Sequence, residues 1–274
     1  MKKNIFSAIL LLSAFVTPLT GHTASYDILV GAAGERLTTG FFAHGSLPPG
    51  TGFADDFLSG LHLYPVNFGD FGGGPLATND PGFRSLAGTL LPGTIISVQG
   101  TGNLEYWTPE NQTWTTPSSG ELIRVYGAVP TDIALAYTFC QSGGLLCDPA
   151  LAAQYPFYAQ GTVFSANGIV GPNPTIIDNT DTQGALHAHL DWFIENSGAA
   201  PATGAYLLTF ALMADEYLAS DPIKVLFNYG LTDAQYQIAF DSRIAPIPEP
   251  SAAALMLAGL TLLTFWYRRR RAFT

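Results

Sequence analysis

Two stretches of this chain are apolar and carry no charge: Ile5 to Val16 and Ser251 to Tyr267. Between them, short apolar runs alternate with clusters of Gly, Pro, Asn, Asp and Ser. Short apolar runs with turn residues on both sides predict strands. They fall at Tyr26–Val30, Leu37–Phe42, Leu61–Phe68, Thr94–Val98, Leu122–Tyr126, Ile133–Phe139, His187–Ile194, Ala205–Leu212, Ile223–Asn228 and Tyr236–Phe240. Short helices are expected at Pro149–Gln154 and Asp215–Leu218. Loops are marked by Pro130, Gly72-Gly73-Gly74-Pro75 and Gly171-Pro172-Asn173-Pro174. No fixed-period repeat, long amphipathic helix or βαβ alternation is visible. The pattern predicts a mostly β domain, jelly-roll-like or another β-sandwich.

Composition narrows the class. Of 274 residues, 29 are Gly and 19 are Pro, and only 12% are charged. That composition excludes a charged helical bundle or a coiled coil. Eighteen Phe, 12 Tyr and 4 Trp supply the core that a disordered chain lacks. The 21 acids all lie between Ser25 and Pro250, with only Arg36, Arg84, Arg124, Lys224 and Arg243 against them. The middle of the chain is therefore strongly acidic, which disfavours nucleic acid as a partner and suits cations or neutral molecules.

Both ends read as addresses. Lys2 and Lys3, the apolar run and the small residues Gly21-His22-Thr23-Ala24 form a secretory signal peptide, cut after Ala24. The Sec translocon is the partner this implies. The 17 residues Ser251 to Tyr267 make a helix of about 25 Å, at the short end of a membrane span. Trp266 and Tyr267 sit at its interface, and Arg268, Arg269, Arg270 and Arg271 stay on the cytoplasmic side. The acidic domain then lies on the periplasmic side.

Immediately before that helix stand Pro248, Glu249 and Pro250. Two prolines fix an extended segment there that no helix can absorb. A Pro-Glu-Pro triplet, an apolar helix and a terminal arginine cluster, in that order, resemble the PEP-CTERM sorting signal of Gram-negative bacteria. The resemblance implies processing by an exosortase, with the inner membrane as a transient anchor. It also implies a final place at the cell surface or outside the cell, associated with exopolysaccharide or biofilm. The chain thus divides into a signal peptide (1–24), an exported β domain (25–246) and a sorting tail (247–274). The reading is an exported surface or matrix protein without enzymatic activity; metal-binding and carbohydrate-binding (lectin-like) domains are the alternatives.

Within the domain, Cys140 and Cys147 flank a Gly-containing loop, and in an oxidising compartment they are expected to form a disulfide. His187, His189 and Asp191 are the best candidate for chemistry. Alternate residues of one strand share a face, so two imidazoles and a carboxylate at this spacing can chelate a zinc-like divalent metal. The same alternation also describes a solvated sheet face. Asp178-Asn179-Thr180-Asp181 has a weaker likeness to a calcium run. Tyr106, Trp107 and Trp114 could offer an aromatic platform to sugar. Some PEP-CTERM surface proteins of uncharacterised function share short elements with this chain. They are His22 with Asp27-Ile28, Asp80-Pro81-Gly82-Phe83, His187 with His189, Gly204-Ala205-Tyr206 and Ser220-Asp221-Pro222. For that group the resemblance suggests a zinc link.

Overall fold

A computed structural model describes residues 26–43, 62–118 and 120–243. The expected signal peptide, the Pro-Glu-Pro triplet, the helix expected over 251–267 and the arginines lie outside the described residues. Among the described residues, no helix is long and apolar enough to cross a membrane.

The strands, in chain order, are β1 (Tyr26–Ala33), β2 (Arg36–Ala43), β3 (Leu63–Asn67), β4 (Ala77–Thr78), β5 (Gly82–Ser85), β6 (Ile95–Thr108), β7 (Thr113–Thr115) and β8 (Glu121–Tyr126). After the helices α1 (Thr131–Gln141), α2 (Pro149–Ala152) and α3 (Tyr155–Ala159) come β9 (Thr162–Ser165), β10 (Gly168–Val170), β11 (Thr175–Asn179), β12 (Leu186–His189), β13 (Asp191–Asn196), β14 (Gly204–Met213) and β15 (Ile223–Tyr229). Helix α4 (Asp233–Asp241) closes the described chain. The protein is mostly β, as the turn-rich pattern predicts.

Three sheets form. Their strand orders are β12-β5-β1-β2, β10-β9-β8-β13-β4 and β11-β6-β14-β15-β3, with β7 added to β6. One apolar core draws on all three. Ile28, Phe83 and Leu186 come from the first sheet, Val125, Phe164 and Trp192 from the second, and Tyr206, Leu208, Phe210 and Phe227 from the third. Burying side chains of this size contributes about 1.5–3 kcal/mol each. Strand β14 explains its own unbroken apolar sequence. Tyr206, Leu208 and Phe210 face this core, while Ala205 and Leu207 face a second cluster with Trp107, Leu226 and Ala239 of α4. A strand buried on both faces has no polar alternation to show.

Several elements differ from the sequence pattern. Ile133–Phe139 is helical, within α1: Ile133 and Ala136, three apart, are its buried residues, which is a helix spacing. Tyr236–Phe240 is also helical, within α4. Its start is fixed by a capping box in which Thr232 and Gln235 bond each other's backbone N–H. Residues 215–218 form a turn, not a helix: Ala214 bridges Tyr217, and Leu218 bridges Arg36. Helix α2 does form where expected, capped by the Asp148 carboxylate, which accepts from the N–H groups of Ala150 and Leu151. Cys140 and Cys147 are joined by a disulfide, with 4.4 Å between their Cα atoms.

Candidate metal-binding site

The strand expected at His187–Ile194 is two strands. Strand β12 ends at His189, pairing with β5 of the first sheet. Leu190 is buried, and Asp191 opens β13, where it faces Tyr126 of β8 in the second sheet. The chain changes sheets at Leu190, so the alternation that would carry Asp191 onto the histidine face is broken. Asp191 does not join His187 and His189.

Asp27 takes that place. In β1, Ile28 and Val30 enter the core, so Asp27 points to the opposite face. The parallel pairing of β1 with β5 sets Asp27 opposite Gly82, and the antiparallel pairing of β12 with β5 sets His189 opposite the same glycine. One row across three strands therefore holds Asp27, Gly82 and His189, with His187 two residues along β12. Gly82 carries no Cβ because there is no room for one. A methyl there would overlap Asp27 Oδ1 and lie 2.8 Å from His189 Nδ1.

The geometry suits a cation. His189 Nδ1 is 2.8 Å from the Asn79 carbonyl oxygen. A carbonyl can only accept, so Nδ1 carries the proton and Nε2 of the neutral ring presents its lone pair. That lone pair points at His187 Nε2, 3.3 Å away. Asp27 Oδ2 is 3.5 Å from His187 Nε2, and Asp27 Oδ1 is 4.0 Å from His189 Nε2. Donors about 2.0–2.1 Å from a tetrahedral zinc stand about 3.3 Å from one another, so the nitrogen pair has the spacing of two bound ligands. Asp80 Oδ1 lies 3.8 Å from His189 Nδ1, beside the bond that orients the ring. Among the described residues, Asp27, His187 and His189 are a group of donors close enough to hold one ion. The Asp27 side chain is fully buried, while that of His187 is 51% exposed, so the site has a closed floor and an open mouth.

The other sequence candidates do not assemble. Asp181 Oδ1 accepts from the N–H groups of Gln183 and Ala185, closing a turn, and Thr180 Oγ1 donates to the Leu91 carbonyl. Asp178 and Asn179 end strand β11 and Asp181 opens the turn that follows, so the run is a strand end and a turn, not a calcium loop. Trp107 is fully buried and offers no face to sugar, and the half-buried Tyr106 packs on Tyr206. Trp114 is covered by the Arg243 guanidinium, 4.1 Å from the ring centroid.

Of the short elements read from the sequence, Asp27, Asp80, Gly82, His187 and His189 converge on this one site; His22 lies outside the described residues. Asp27 escapes a reading of periodicity because its partners are brought to it by strand pairing, not by spacing along the chain.

Residues 246–271 match the PEP-CTERM protein-sorting motif. This tail supports a surface protein that is exported, anchored as a membrane precursor and processed by an exosortase. No curated protein and no solved structure matches the chain at a significant level.

Proposed function

We propose that this chain is an exported surface protein of the extracellular matrix whose β domain holds one divalent ion, zinc by the character of its donors, without a catalytic step. Two neutral imidazoles and one carboxylate are a zinc-type donor set. The observation that carries the reading is the 3.3 Å approach of the two Nε2 atoms, with the His189 tautomer set by Asn79. A histidine whose other nitrogen is fixed by a carbonyl is the usual arrangement behind a metal ligand. The Sec translocon, the inner membrane and exopolysaccharide are the partners that the signal peptide and sorting tail suggest, with the domain on the periplasmic side before release.

Calorimetric titration of the purified chain with zinc tests the metal reading. One ion per chain is expected at neutral pH. Replacing His187→Ala together with His189→Ala abolishes uptake, and Asp27→Asn weakens it. Affinity falls on acidification, because zinc takes neutral imidazole and displaces protons. Zinc also raises the melting temperature of the wild type by mass action and leaves that of the double variant unchanged. Wild-type protein that takes up no zinc at neutral pH refutes the reading.

A further inference from the structure

We infer that Thr78 is a positioning residue for the metal site: its buried hydroxyl holds the turn whose Asn79 carbonyl keeps the His189 proton on Nδ1. This rests on Asp27, His187 and His189 being metal ligands. The chain crosses between the first and second sheets twice beside them. Asn79-Asp80-Pro81 leads from β4 to β5, and Leu190 leads from β12 to β13. Because β4 pairs with β13 and β5 with β12, the two crossings lie side by side. His189 is the last residue before one crossing and Asn79 the first of the other. The 2.8 Å contact between His189 Nδ1 and the Asn79 carbonyl oxygen joins them.

Asn79 lies outside both strands, so its carbonyl is aimed by whatever holds the turn. Thr78 Oγ1 accepts from the Asp80 N–H at 3.0 Å, a bond that spans Asn79 from one side to the other. Thr78 is itself fixed: it is fully buried and stands opposite Trp192 in the β4–β13 pair. Its hydroxyl also hydrogen-bonds the Asp70 carboxylate. A hydroxyl has one proton, so it donates to Asp70 and accepts from Asp80. The Asn79 peptide is thus bracketed by one buried side chain. The chemical effect falls on His189. An imidazole without that carbonyl carries its proton on either nitrogen, and a ring protonated at Nε2 turns an N–H, not a lone pair, toward the ion. Groups behind a ligand that fix its tautomer raise metal affinity without touching the metal.

Nitrogen NMR of the zinc-free full chain, at about pH 8 where imidazoles are neutral, reads the tautomer, and calorimetric titration with zinc reads the affinity. Wild-type His189 carries its proton on Nδ1 alone. Thr78→Val keeps the branched shape and removes the hydroxyl, so part of the His189 population moves its proton to Nε2 and zinc affinity falls about 10–100-fold. Thr78→Ser restores the hydroxyl and binds zinc as the wild type does. Asp70→Ala, a change at an exposed residue, loosens the same turn and lowers zinc affinity about threefold or more; it decides the matter if Thr78→Val does not fold. A His189 that keeps its proton on Nδ1 alone in these variants overturns this inference, whatever their melting temperature, and so does unchanged zinc affinity. Failure of the wild type to take up zinc overturns the metal reading beneath it. The two failures are told apart because the tautomer is read without metal.

Discussion

At the scale of single residues, Gly82 decides whether the site exists. It lies beneath both Asp27 and His189, and any Cβ there displaces one of them. Gly82→Ala should therefore lower zinc affinity by about 10–100-fold, the range seen when a ligand's orientation is lost; binding calorimetry reads this directly. A variant that binds zinc as the wild type does would show that the two side chains can move aside freely. His187 and His189 are legible in the sequence because they alternate with Leu186 and Ala188, which pack toward the core. Asp27 is not legible as their partner, since only the parallel register of β1 on β5 brings it there. Asp191 misleads for the converse reason: its spacing is right, but the sheet changes at Leu190.

At the scale of elements, the two short apolar runs read as strands are helices, and a cap marks one of them. The segment from Tyr236 to Phe240 has the look of a strand, yet Thr232-Asp233-Ala234-Gln235 carries the capping signature one turn earlier. Ile133 to Phe139 has no such cap, and its helix shows only in the placement of its two buried residues. Strands β4, β5, β7, β9 and β10, which the pattern does not predict, are two to four residues long and β11 is five, too short for alternation to register.

Helix α4 is tied to the third sheet by Tyr236. Its hydroxyl accepts from the Val66 N–H at 2.9 Å and donates to the Leu226 carbonyl. Tyr236→Phe leaves both groups without that partner and should cost about 1–3 kcal/mol in denaturant unfolding. Burial holds the Tyr236 phenol well above its ordinary range. Because the folded state keeps the proton that the unfolded chain releases, stability is unaffected at neutral pH and falls as pH rises above about 10. The Phe variant should lose part of that alkaline slope. In the helical insert, the closed Cys140–Cys147 bridge predicts no thiol labelling of the native protein without reductant. Stoichiometric labelling of both cysteines would contradict it.

For the whole molecule, the sorting tail and the folded domain meet over a short span of sequence. Trp114 Nε1 donates to Ser242 Oγ, and Arg243 pairs with Glu105 while covering Trp114, so the domain is fastened shut three residues before the matched motif begins. Glu249→Ala, or deletion of Arg268 to Arg271, should leave the precursor in the inner membrane, as fractionation and immunoblotting would show. Normal surface display of both variants would separate the tail from sorting. The Pro-Glu-Pro triplet and the arginines were legible because contiguous sequence specifies them, with no long-range pairing required.

The row formed by Asp27, Gly82 and His189 bears on which ion the proposed site would take. Its donors come from the first described strand and from one late in the chain, so a nascent or unfolded chain has no such pocket. On the proposed metal reading, an ion would be taken up only once β1, β5 and β12 have paired. Donors of this kind bind copper(II) more tightly than zinc by the general affinity order. The choice of ion then follows the free-metal supply where the fold closes. If the proposed site binds metal, protein folded in copper-rich and in zinc-rich surroundings would be two differently loaded forms of one sequence.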